Sequence, residues 1–232
     1  MRTSFFTLLP ALALIVACGA PPAPVEQSAA RDAAAGPVAA PAADARRELV
    51  FLGDSLTAGL GLDASLSFPS LIQERIDARG WPYRVVNAGV SGDTSAGGLR
   101  RLAWSLEGRP AVLVVALGGN DGLRGLPPDE LRSNLAAIIE GAQRQGVQVV
   151  LAGMEAPPNN GPEYTARFRR VYRELADAYD VPLVPFLLDG VAGEPALNQA
   201  DGIHPNAEGA RRVADTVWPA IEPVLQAGLA TR

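Results

Sequence analysis

The sequence predicts an α/β fold, a three-layer sandwich around a five-stranded parallel sheet. Three observations carry that prediction. Five short apolar runs, at residues 49–52, 83–88, 111–117, 147–152 and 181–186, alternate with segments whose apolar residues recur at helical spacing. The run at 111–117 is uninterrupted, as in strands buried on both faces of a parallel sheet. Strands separated in this way by helices require right-handed crossovers, which cover both sheet faces with helices.

The elements follow in order. The first strand, 49–52, stops abruptly at Gly53. Phe68, Leu71, Ile72, Arg75 and Ile76 keep helical spacing, opened by Ser67 and Pro69 and closed by Gly80. After the second strand, a helix fits residues 94–106 through Leu99, Leu102 and Leu106. After the third, Leu131, Leu135, Ile138, Ile139 and Ala142 mark a helix face ended by Gly146. Phe168, Val171, Tyr172, Leu175 and Tyr179 mark the next helix, between the fourth and fifth strands. A loop rich in Gly, Pro and Asp runs to Ile203, and a last helix spans 207 to about 225.

Composition excludes several chemistries. The chain of 232 residues has no lysine, which rules out Schiff-base catalysis and a phosphate-loop lysine. One histidine, His204, rules out a multi-histidine metal site, and one cysteine, Cys18, rules out an intramolecular disulfide. A net charge of −5 without a basic block argues against a nucleic-acid partner.

The amino terminus reads as an address. Arg2 is followed by a mostly apolar run, 5–17, too short to span a bilayer. It ends Ile15-Val16-Ala17-Cys18-Gly19, which resembles the lipobox of bacterial lipoproteins and implies lipidation of Cys18. With Gly19 rather than aspartate as the second mature residue, the resemblance implies an anchor in the outer membrane, facing the periplasm. Residues 19–46 are rich in Ala and Pro and read as a disordered tether, leaving 47–228 as the folded domain.

In a sheet of this kind function belongs on loops after strand carboxyl ends, which here begin at Gly53, Gly89, Gly118, Gly153 and Leu187. They carry Gly53-Asp54-Ser55, the segment 87–94 (NAGVSGDT), Gly118-Gly119-Asn120-Asp121 and Asp201-Gly202-Ile203-His204. Each alone is ordinary turn chemistry. Together they supply what acyl transfer needs. A serine needs a base to become nucleophilic, and imidazole is suited to that at neutral pH. A carboxylate orients the imidazole, and amide donors meet the oxyanion. Ser55, His204, Asp201 and the pair Gly89 with Asn120 can fill these roles.

These blocks resemble the SGNH (GDSL) hydrolases: GDSL from Gly53, NAGVSGDTS from Asn87, GGND from Gly118 and DGIHP from Asp201, in the family's order across the whole folded domain. LGGNDGLRG and DVPLVPF are similar to the bacterial thioesterase I / lysophospholipase / arylesterase subgroup. The resemblance implies a flavodoxin-like fold and no cofactor. It also implies Ser55 as nucleophile, His204 as base, Asp201 orienting it, and an oxyanion hole from the Ser55 and Gly89 amides with the Asn120 side chain. The expected activity is hydrolysis of small-molecule esters and thioesters through an acyl-enzyme. The alternative is O-deacetylation of envelope carbohydrate.

Rival assignments go the other way. Ser91 lies deeper in its loop than Ser55, and neither sits in a G-x-S-x-G elbow. Asp54 reads as a turn-holding or capping carboxylate, and Asp93 with Thr94 as a helix cap. Asp121 offers an oxyanion no donor. Gly59 to Ala64 fits the loose dinucleotide pattern G-x-G-x-x-A but begins several residues after its strand. Arginines 100, 101, 169, 170 and 173 read as solvated helix faces. The loops 155–162 and 187–200 are expected to shape the acyl site.

Overall fold

A computed structural model describes residues 46–230; the lipobox cysteine Cys18 and most of the expected tether lie outside them. Strand β1 (Arg47–Gly53) leads into a short helix α1 (Ser55–Ala58) and then α2 (Phe68–Ala78). Next come β2 (Tyr83–Gly89), α3 (Ser95–Ser105) and β3 (Val112–Ala116). The short α4 (Gly119–Leu123) and the longer α5 (Pro128–Gln143) precede β4 (Gln148–Ala152). Helix α6 (Pro162–Tyr179), β5 (Leu183–Val184) and α7 (Ala207–Ala230) complete the chain.

The five strands pair in the order β2-β1-β3-β4-β5, all parallel. This is the flavodoxin-like order, and its direction reverses between β1 and β3. The crossover from β1 to β2 runs opposite to the others. With one handedness throughout, α2 must land on the face opposite α3, α5 and α6. The contacts agree: α2 packs on α7, while α3, α5 and α6 pack in a row. Every side chain of β3 is buried, the most exposed at 2%, as its unbroken apolar run requires.

Local chemistry sets the element ends. Ser67 caps α2, accepting from the Ser70 N–H at 3.4 Å with Pro69 in the first turn. Thr94 caps α3, accepting from the Gly97 N–H. Strand β1 starts two residues earlier than its apolar run because Arg47 and Glu48 still pair with Tyr83 and Arg84. Strand β5 is shorter than its apolar run. Pro182 and Pro185 flank it and have no N–H for the ladder, so only Leu183 and Val184 pair with β4.

One contiguous core runs from Leu49 to Leu225 among the described residues. A core of its own is what lets a segment of chain fold alone. Register then fixes the site's floor. Gly53 lies level with Gly89 on one side and Ala116 on the other, so the loops after β1, β2 and β3 leave the sheet side by side.

Candidate active site

Asp54 alone separates the end of β1 from Ser55 at the head of α1. Its Oδ1 accepts from the Leu56 N–H at 3.0 Å, the capping role expected from sequence. Ser55 is thereby held at the carboxyl edge of the sheet, 9% exposed. Its Oγ lies 2.9 Å from His204 Nε2, and His204 Nδ1 lies 2.7 Å from Asp201 Oδ2. The other carboxylate oxygen, Oδ1, accepts from the backbone N–H groups of His204 (3.0 Å) and Ile203 (2.9 Å). Those backbone hydrogen bonds first, and the His204 side chain after them, hold the Asp201 carboxyl at about 2, below the ordinary carboxylate range.

Asp54 shows the opposite effect. It is 1% exposed, and burial pushes its carboxyl up to about 6, moderated by the Leu56 N–H, the charge of His204 and the Asn120 amide. Asn120, on α4, donates from Nδ2 to the Asp93 carbonyl at 3.0 Å and more weakly to Asp54 Oδ2 at 3.4 Å. Its neighbour Asp121 is turned inward. It is 2% exposed and accepts from the Ser95 N–H (2.8 Å) and hydroxyl (2.5 Å).

The structure does not bring the Gly89 amide to the site. Its N–H donates to Asn87 Oδ1 at 3.0 Å. Gly89 is needed there for a different reason: α1 crosses the end of β2 so closely that a Cβ would collide with the backbone of Ala58 and Asp54. Gly92, in the same sequence block, lines the cleft instead, in a left-handed turn with φ of 83°. Its N–H has no hydrogen-bond partner among the described residues, and neither does the Ser55 N–H at the open first turn of α1. Ser91 also lines the cleft but makes no hydrogen bond to His204.

Two supporting side chains escaped the sequence reading. Gln199 donates from Nε2 to the carbonyls of Leu60 (2.7 Å) and Pro205 (2.9 Å), tying the histidine loop to the loop after α1. Arg101 is not on a solvated face. At 21% side-chain exposure, its Nε pairs with Asp93 Oδ2 at 2.7 Å, and its terminal nitrogens donate to the carbonyls of Ala88 (3.0 Å) and Gly53 (3.1 Å). Asp93 is therefore the partner of Arg101, and Thr94 alone caps the helix. Arg169 is exposed as expected and pairs with Glu155. Gly59 closes α1 in a left-handed turn, so the segment 59–64 opens no helix directly from a strand.

Over these groups lies a cleft of about 860 Å³. Leu56, Leu60, Leu123, Met154, Phe186 and Ile203 give it apolar walls, with Ser55, Asn120 and His204 on its polar side. The loops 155–162 and 187–200 contribute through Ala156, Pro157, Pro158, Leu188 and Ala192, as expected. Leu123 of α4 and Leu60 add walls that the sequence reading did not assign. Among the described residues no three His, Cys, Asp or Glu side chains are grouped to hold a metal ion.

A switch-point sheet that sets hydroxyl, imidazole and carboxylate in series beneath an apolar cleft defines a class, the hydrolases of carboxylic esters. Residues 51–212 match the GDSL-like Lipase/Acylhydrolase family. The chain is 48% identical over 182 residues to esterase TesA of Pseudomonas aeruginosa, across 78% of this chain and 90% of that protein. It is 38% identical over 178 residues to thioesterase 1/protease 1/lysophospholipase L1 of Escherichia coli, across 76% and 84% of the two chains. The psychrotrophic esterase EstA from Pseudoalteromonas sp., solved inhibited by monoethylphosphonate, superposes with a TM-score of 0.73 at 32% identity, covering 78% of this chain and 99% of that one. The chain belongs to the GDSL-like lipase/acylhydrolase family and is an SGNH-type ester hydrolase.

Proposed function

We propose that the chain hydrolyses carboxylic esters and thioesters of medium or long acyl groups through an acyl-enzyme on Ser55. The observation that carries this reading is the series Ser55 Oγ, His204 and Asp201, at 2.9 and 2.7 Å, opening into an apolar cleft of about 860 Å³. Ser55 Oγ attacks the acyl carbonyl carbon as His204 Nε2 takes its proton. Asp201, anchored by two backbone N–H groups, holds the Nδ1 proton and stabilises the imidazolium. The oxyanion is met by the Ser55 and Gly92 N–H groups and by Asn120 Nδ2, whose long bond to Asp54 is the one exchanged for the substrate. Collapse breaks the bond to the alcohol or thiol, which leaves with the proton from His204. Water then attacks the acyl-enzyme with His204 as base, releasing the acid and restoring Ser55.

The relatives named esterase, thioesterase and lysophospholipase support this substrate range. Carbohydrate O-deacetylation stands second, because an acetyl group would leave most of the apolar wall unfilled. The lipobox-like segment further supports an enzyme held at the periplasmic face of the outer membrane by lipid on Cys18.

A fluorophosphonate probe should label the wild-type protein and not Ser55→Ala; labelling that persists would refute the assignment. Ser55→Ala and His204→Ala should each lower kcat by about 10⁶-fold and Asp201→Ala by about 10⁴-fold. Across a p-nitrophenyl ester series, kcat/KM should rise from acetate to octanoate; a maximum at acetate would favour the second reading.

A further inference from the structure

Exposed leucines and isoleucines are ordinary on protein surfaces when they are scattered. Here they are not scattered. Five large hydrophobic residues are exposed among those described: Leu60 (46%), Val90 (42%), Leu123 (49%), Ile203 (45%) and Trp104 (59%). Three of them line one opening, and a fourth adjoins it. Leu60, Leu123 and Ile203 line the cleft, and Val90 directly precedes Ser91 and Gly92, which line it too. They come from four separate segments, after α1, after β2, at the end of α4 and before His204. Packing within a single loop therefore cannot explain their convergence.

We propose that this rim is a docking surface for a phospholipid leaflet, which the domain meets with its cleft facing the lipid. The apolar rim continues into the apolar walls at Leu56, Met154 and Phe186, so an acyl chain can pass from leaflet to cleft without crossing water. Side chains of this kind bind a leaflet by burying apolar area at the boundary between headgroups and acyl chains. The chain's amino terminus suits the same occupant. The 28 residues that follow Cys18, up to Arg46, span at most about 100 Å, so a lipid on Cys18 leaves the cleft within reach of the leaflet that holds it.

The docking surface shares the cleft with the proposed ester hydrolysis, so binding is measured apart from catalysis. The probe is residues 46–230 carrying Ser55→Ala, shown folded by far-UV circular dichroism, with dioleoylphosphatidylcholine vesicles, whose neutral surface leaves charge little to do. Sedimentation should show the domain partitioning onto vesicles. The combined variant Leu60→Ser, Val90→Ser, Leu123→Ser and Ile203→Ser should bind at least about tenfold more weakly, because binding follows buried apolar area. Trp104→Ser, away from the rim on α3, should bind within about twofold of the parent. No vesicle binding by the parent, no loss in the rim variant, or an equal loss with Trp104→Ser would each overturn the proposal. So would a rim-dependent dimer in sedimentation equilibrium without vesicle binding, which would make a second copy the occupant. If the combined variant fails a far-UV circular dichroism check, each single serine variant must weaken binding on its own, and any folded one that binds like the parent overturns the proposal.

Discussion

Two carboxylates of the site meet opposite environments. Asp201 is solvent-accessible but takes two backbone N–H bonds, and its carboxyl is held at about 2. Asp54 is buried beneath the serine, and its carboxyl is pushed up to about 6. The folded chain therefore keeps a proton on Asp54 through a window, from about 3.8 to about 6, in which the unfolded chain has released it. That contribution to stability is full below about pH 3.8 and is lost as pH rises through 6, a change of about 3 kcal/mol. Asn at 54 does not titrate. Urea unfolding at pH 4 to 7 should show the stability difference, wild type minus Asp54→Asn, falling by up to about 3 kcal/mol; a difference flat with pH would contradict this. At this scale the sequence was most legible where chemistry left one option. A chain with one imidazole offers one candidate base, and that imidazole meets Ser55. It was least legible for a backbone donor, because glycine has no side chain to read. Gly89 and Gly92 stand in one motif, and only the fold shows that Gly92 lines the cleft while the Gly89 N–H is taken by Asn87.

Helix α3 acts on the site through Arg101. One guanidinium ties the last turns of β1 and β2 to Asp93, whose carbonyl receives the Asn120 amide. Arg101→Met leaves a half-buried carboxylate and two carbonyls without that donor, which should cost about 2–4 kcal/mol in a chemical melt. It should also lower kcat more than KM affects the rate, since Asn120 loses its footing. A lysine at 101 delivers a point charge without the planar fork, so it should recover less than half of the lost stability; full recovery would deny the fork its role. The sequence could not separate Arg100 from Arg101, because adjacent helix positions both fit a polar edge until the helix is docked on its strands. Strand β5 illustrates a rule that was available but outvoted. Pro182 and Pro185 cannot donate to the ladder, though the Pro182 carbonyl accepts from the Leu151 N–H, yet the apolar run through them reads as a strand of full length.

At the scale of the molecule, alternation of strand and helix gave the class and both helical layers. Strand order is another matter. The sequence contains nothing local that places β1 between β2 and β3, yet that order puts the switch point, and with it Ser55 and Asn120, at the centre of the sheet edge. That order came only with the flavodoxin-like fold that the family resemblance implies, whereas the volume and rim of the cleft depend on four loops at once and were out of reach. The proposed anchor is separable from the fold. In a bacterial host, labelled palmitate should enter the chain and be lost in Cys18→Ala, and esterase activity should move from the membrane fraction to the soluble one; label retained in the variant would count against the anchor. The histidine loop, finally, is fastened to the serine's loop by Gln199, a neutral amide bridging the carbonyls of Leu60 and Pro205. A brace without charge is not screened by ions. Raising the salt concentration should therefore leave this link between the two loops in place.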